Sequence, residues 1–158
     1  MQLLILRHAD ASTSARTDDL RPLSDKGRQQ AKRVARFCSE NGLQPDIILT
    51  SPYLRAEETA KIVAEELQCE WVLNAFLASG MMPFAAMEEM RAFLRFGCVM
   101  IVGHEPDLSA FAGTLLGAGH LGALRMRKAT LAGLEVDSMT SGGAHLEFLV
   151  PAKMMGKE

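Results

Sequence analysis

The chain has 158 residues, of which 48% are hydrophobic and 23% charged, with a formal net charge of −2. That length suits one domain burying roughly two-thirds of its unfolded surface. The near-neutral balance gives no global attraction for nucleic acid or an anionic membrane, and no stretch approaches the roughly 20 apolar residues of a membrane span. The N-terminus lacks the cationic, apolar and small-residue order of a signal peptide. Cys38, Cys69 and Cys98 are odd in number and contain no C-x-x-C pair, so they read as small core hydrophobes in a reducing compartment. A cytoplasmic location is the expectation.

Gln2-Leu3-Leu4-Ile5-Leu6 is a short apolar run typical of a fully buried strand, and it stops at Arg7-His8-Ala9-Asp10. A polar loop from Ala11 to Arg21 follows. Ser24 suits a helix N-cap, with Asp25 in the first turn. Gly27, Ala31, Val34, Phe37 and Cys38 keep helical spacing up to a stop at Asn41-Gly42. Asp46 to Thr50 is a second buried strand. Ser51-Pro52 then reads as an N-cap with proline at the first helical position, opening a helix through Tyr53 to Leu67 with Leu54, Ala60, Ile62, Val63, Ala64 and Leu67 inward.

Cys69 to Leu73 is a short third strand, and Asn74 to Met82 a loop. Pro83 opens a helix with Met87, Met90, Phe93 and Leu94 inward, ended by Gly97. Cys98 to Val102 is a fourth strand leading through Gly103-His104-Glu105-Pro106 into a helix over 107–116. A glycine-rich turn covers 117–122, and 129–136 and 145–150 read as an antiparallel pair. Strand–helix alternation predicts an α/β fold of three layers, a mostly parallel sheet flanked by helices with an antiparallel edge. Residues 1–150 are expected to form one domain, and 151–158 a loose C-terminal tail.

Three strand ends share one chemistry. The first delivers Arg7 and His8, the second Arg55 one turn into its helix, and the fourth His104. Parallel strands bring these ends to one sheet edge, where open α/β sheets bind ligands. Arg21 in the polar loop can reach the same place. Taken alone, Arg7-His8 would be the polar cap of a core strand; the other two ends change that reading. Arginines are permanently charged forks matched to phosphate oxygens, and clustering them is costly without an anion between. Histidine among arginines is disfavoured as a cation, so its pKa should fall, and a neutral imidazole is a competent nucleophile. The cluster therefore suits phosphoryl transfer, with a phosphate anion in the pocket.

These residues resemble a known family. Arg7-His8 looks like the R-H-G/A signature of the histidine phosphatase superfamily, the phosphoglycerate mutase-like fold. Ser51 to Ala60 (SPYLRAEETA) resembles its S-P-x-x-R-A-x-x-T-A segment, Val102 to Pro106 its second-histidine segment, and Arg21 to Gly27 its entry to the first helix. Within it, the wording is most similar to the SixA-type phosphohistidine phosphatases. The resemblance implies His8 as phosphorylated nucleophile, with Arg7, Arg55 and His104 completing the phosphate pocket and Arg21 as a further ligand. It implies no metal and no organic cofactor.

One departure bears on the substrate. Phosphomonoesterases and mutases of this superfamily carry an acid in the loop after the third strand, to protonate a leaving alkoxide. Residues 73–80 here (LNAFLASG) contain no carboxylate. General acid catalysis is worth about 100- to 10,000-fold, whereas imidazole, with an unperturbed pKa near 6.5, leaves with little help. A phosphohistidine substrate is expected, displayed on a protein such as a histidine phosphotransfer domain, since the short chain has little room for a lid. Two alternatives stand beside it: a small-molecule phosphomonoesterase or mutase with Glu105 or Asp10 as acid, and a non-catalytic phosphoprotein-binding module. Glu105 also suits starting the following helix, and Asp10 suits orienting an arginine or its loop. His120 and His145 read as surface or edge residues. Trp71 is ambiguous, and Tyr53 suits either the pocket mouth or packing against the first helix.

Overall fold

The computed structural model describes residues 1–120 and 122–156. Among them, six strands form one mixed sheet in the order β3-β2-β4-β1-β5-β6. The strands are β1 (Gln2–Arg7), β2 (Ile47–Thr50), β3 (Glu70–Leu73), β4 (Cys98–Gly103), β5 (Leu131–Val136) and β6 (Ala144–Val150). The first four run parallel, and β5 and β6 add the antiparallel edge. The helices are α1 (Asp25–Glu40), α2 (Leu54–Leu67), α3 (Pro83–Met90) and α4 (Asp107–Leu115).

Alternate residues of each strand feed two cores. Leu4, Leu6, Ile48, Met100 and Val102 join α1 and α2 on one face. Leu3, Ile5, Leu49, Val99 and Ile101 join α3 and α4 on the other. Leu3 through Leu6 are fully buried, which is why β1 reads as an unbroken apolar run rather than an alternation. Burying each such side chain stabilises the fold by about 1.5–3 kcal/mol.

Local signals act as the sequence predicts in α1. Ser24 Oγ accepts from the Gly27 backbone N–H, and Gly42 (φ +66°) turns the chain after the helix. Elsewhere the structure corrects the expectation. Ser51-Pro52 does not open α2: the Tyr53 N–H donates to Ser51 Oγ, Tyr53 stays extended, and the helix begins at Leu54. Leu94 is exposed rather than inward, because the chain tightens after Met90 into a 3-10 turn (Arg91–Phe93) whose shorter period rotates it outward. The loop over 74–82 contains a 3-10 turn at Ala75–Leu77.

The C-terminal segment is also not loose over the described residues. Pro151 is extended and Ala152–Met154 forms a 3-10 turn, so Ala152 and Met155 fall on one side and bury in the α1–α2 core. Arg33 Nη1 donates to the Ala152 carbonyl at 3.5 Å. Residues 157–158 of that tail, and Leu121 of the glycine-rich turn, lie outside the described residues. No described helix is long and apolar enough to cross a membrane.

Candidate functional site

From β1 the chain leaves through α1 on one face of the sheet, and from the adjacent β4 it leaves through α4 on the other. Connections diverge between those two strands, and at such a point the carboxyl ends of an open α/β sheet form a crevice. His8 follows β1 and His104 follows β4. The His8 N–H donates to the Gly103 carbonyl at 3.0 Å, and the two imidazole centroids lie 5.3 Å apart. Arg55, in the first turn of α2, reaches the same place and is buried with them.

His8 is held in one tautomer. Its Nδ1 lies 2.8 Å from the Ala9 carbonyl, which can only accept, so Nδ1 carries the hydrogen and Nε2 the lone pair. Arg55 Nε donates to that Nε2 at 3.3 Å. Burial pushes the His8 pKa down to about 3, and the neighbouring His104, Arg55 and Arg7 add to the effect. Sequence reasoning expected this direction from like-charge repulsion; desolvation is the larger cause. A second tie comes from Thr59, whose Oγ1 accepts from the Ala9 N–H at 3.1 Å and donates to the Arg55 carbonyl at 2.7 Å.

His104 is likewise neutral, its pKa pushed down to about 4 by burial first and then by Arg55. Its Nε2 sits 2.7 Å from Ser51 Oγ. Ser51 Oγ also accepts from the Tyr53 N–H, and the Nδ1 of His104 has no protein partner. Tyr53 takes the pocket side rather than the first helix: its ring lies edge-on to His104 at 4.8 Å and under the Arg55 guanidinium at 5.2 Å.

Arg21 joins the cluster through a residue that sequence reasoning missed. Asp18, in a 3-10 turn (Asp18–Leu20), bridges the two arginines. Its Oδ2 accepts from Arg55 Nη2 and its Oδ1 from Arg21 Nη1, each at 3.1 Å. The Asp18 carbonyl also accepts from Arg55 Nη1 at 2.8 Å. The bonds from Arg21 and Arg55 hold the Asp18 carboxyl below the usual carboxylate range. Asp18 and Asp19 in a polar loop gave no periodic signal; only the placement of Arg55 and Arg21 in one crevice would have picked Asp18 out.

The segment 126–130 was also missed. Arg7 Nη1 donates to the Met126 carbonyl at 3.1 Å, the Ala129 N–H to the His8 carbonyl at 3.1 Å, and the Arg7 N–H to the Thr130 carbonyl at 3.1 Å. Ala129 adopts φ +57°, a left-handed conformation that costs a non-glycine residue about 1–2 kcal/mol. Such strain concentrates near functional sites, and here it wraps the chain around the end of β1.

Both stand-in acids are committed elsewhere. Glu105 Oε1 accepts from the Ser109 N–H at 2.8 Å and its Oε2 takes the Ser109 hydroxyl, so it is tied to the first turn of α4. Asp10 accepts from Lys128 Nζ at 2.8 Å and from Ser24 Oγ at 2.6 Å, bonds that hold its carboxyl below the usual range. Asp107 binds the N–H groups of Gly80 and Met81, fastening the end of the loop where an acid was sought. His120 accepts from the Gly122 N–H, and His145 lies exposed beside Asp137; neither joins the crevice. Trp71 is half-buried on β3 with Lys61 over its ring. Among the described residues, no group of three or more His, Cys, Asp or Glu side chains is placed to hold a metal ion.

The fold is that of the phosphoglycerate mutase-like α/β class. The chain superimposes on a protein histidine phosphatase SixA complexed with tungstate with a TM-score of 0.88 at 22% identity, over 97% of this chain and 98% of that one. The sequence profile of the histidine phosphatase superfamily (branch 1) matches residues 3–79. An uncharacterized protein of Picosynechococcus sp. is 33% identical over 156 residues, 93% of this chain and 89% of that one. The phosphohistidine phosphatase SixA of Escherichia coli is 35% identical over 65 residues, 41% of this chain and 40% of that one. The chain belongs to the histidine phosphatase superfamily, and it is a phosphatase of that type.

Proposed function

We propose that the chain removes phosphate from a phosphohistidine displayed on another protein, such as a histidine phosphotransfer domain, through a covalent phospho-His8 intermediate and without a metal. The Nε2 lone pair of His8 attacks phosphorus in line as the bond from phosphorus to the substrate imidazole breaks, and that imidazole, already protonated on its other ring nitrogen, leaves as the neutral ring. Arg7, Arg55 and Arg21 balance the charge of the phosphoryl oxygens, and the ring N–H of His104 donates to one of them. Water then attacks phosphorus, giving orthophosphate and restoring neutral His8.

The observation that carries the choice of substrate is the state of the nearby carboxyl groups. Asp10 and Asp18 are held below the usual carboxylate range, and Glu105 and Asp107 accept backbone N–H bonds. None is placed as a protonated donor for a poor leaving group. An imidazole leaving group has the least need of one. Leu20, half-exposed beside Asp18, and the exposed stretch 13–20 give the crevice an open rim that suits a protein surface.

The test is phosphate release from a phosphohistidine-bearing phosphotransfer protein, with and without chelator, compared with aliphatic and aryl phosphates. Release unaffected by chelator, and acid-labile labelling lost in His8→Ala while phosphate still binds, are the expected results. An active His8→Ala protein, or fast turnover of aliphatic esters with phosphohistidine protein untouched, would overturn the reading.

A further inference from the structure

Beside the catalytic crevice lies a second concavity of about 540 Å³, between the first half of α1, the segment 126–130 and the docked C-terminal turn. Six cations line it: Arg7, Lys26, Arg33, Arg127, Lys128 and Lys153. Asp10 is the one acidic residue of its lining, and Lys128 already binds that carboxylate at 2.8 Å. A chain whose net charge is −2 thus gathers six of its 17 lysines and arginines around one cavity. Of the residues assigned to phosphoryl transfer, only Arg7 reaches it.

Such crowding is unfavourable unless an anion sits among the cations. Arginine and lysine on an exposed convex face would spread into solvent and be screened. Here the C-terminal turn, buried through Ala152 and Met155 and bonded to Arg33 at the Ala152 carbonyl, forms one wall and adds Lys153 to the lining. The guanidinium groups of Arg7 and Arg33 both belong to the lining, and their buried Nε atoms donate to no protein group. The volume lies within the range of about 300–1,000 Å³ for small-molecule pockets. One phosphate dianion would leave most of the charge unbalanced.

We infer that this cavity is a second anion site, which takes a small molecule carrying two or more phosphate groups. The site is separate from the crevice of His8, Arg55 and His104, and touches it through Arg7 alone. It stands whether or not phosphohistidine is the substrate.

Calorimetry with inorganic pyrophosphate tests it, using the full chain as it exists. Two equivalents should bind to the natural protein, one in each site. In Arg33→Gln/Lys153→Gln the cavity site should weaken at least tenfold, with the rate of phosphate release in the absence of pyrophosphate unchanged. Should Arg33→Gln disturb the bond to Ala152, Lys26→Gln/Lys153→Gln should show the same loss from exposed positions. Two results overturn the proposal. One is a single equivalent displaced by orthophosphate and unaffected by either variant. The other is no second equivalent but a raised KM for the phosphoprotein in both variants, which would make the cavity a docking surface for acidic protein side chains. Failure of the phosphohistidine reading would show in the release assay and leave the stoichiometry untouched.

Discussion

Asp18 bonds to both Arg55 and Arg21; under the proposed function it competes with phosphate for them, and its removal should tighten phosphate binding. In Asp18→Asn the carboxylate bridging Arg55 and Arg21 at 3.1 Å on each side becomes a neutral amide. The Asp18 side chain is 60% exposed, so each pair counts as a screened surface bridge of about 0.2–1 kcal/mol. Two of them amount to about 0.4–2 kcal/mol. The backbone carbonyl of Asp18 keeps its bond to Arg55 Nη1, and the amide still accepts. The lower and middle parts of that range therefore apply. At about 1.4 kcal/mol per tenfold, orthophosphate should bind the variant about twofold to sevenfold more tightly. Calorimetric titration at low ionic strength reads this directly, and the gain should shrink as salt screens the pairs. Equal or weaker phosphate binding by Asp18→Asn would show that the carboxylate does not compete for the arginines.

The two buried histidines should make the fold acid-sensitive. Their folded pKa values, about 3 for His8 and about 4 for His104, lie below the ordinary 6.5. The unfolded chain thus binds more protons in that interval, and stability is intact above pH 6.5 and falls as pH drops. The slope is up to about 1.4 kcal/mol per pH unit for each histidine. Urea unfolding between pH 7.5 and 5 should be visibly flatter in His8→Asn/His104→Asn; identical slopes would refute the linkage. Arg55→Ala should lose both phosphate affinity and rate, the latter by about 100-fold or more, because the side chain serves ground and transition states alike. Gly27→Ala should lower the unfolding free energy read from urea titration by about 1–3 kcal/mol or more, since a Cβ there would lie 1.9 Å from the Asp10 carbonyl oxygen, a backbone atom with little freedom to move.

The parts of the fold that were legible carry one-dimensional signals. β1 and β4 are apolar runs ending in charged or glycine residues, and α1 has a cap, a period and a stop. The grouping of Arg7, His8, Arg55 and His104 followed from parallel strands alone, because topology places their ends together. What was not legible depends on partners distant in sequence. Glu105 reads as a candidate acid until Ser109 is seen to hold it, and Asp10 until Lys128, 118 residues away, closes on it. The tail reads as loose because Ala152 and Met155 show no period, yet two apolar residues on one side of a single turn suffice once α1 is there to receive them. Asp18 has meaning only after two arginines have been brought to it.

The Thr59 hydroxyl links the backbone after His8 to the first turn of α2, through the Ala9 N–H and the Arg55 carbonyl. Ala9 is fully buried, so its amide proton meets solvent only when that helix turn lifts from the strand end. Its hydrogen-exchange rate therefore measures how often His8 and Arg55 come apart, one amide reporting on the integrity of the whole crevice.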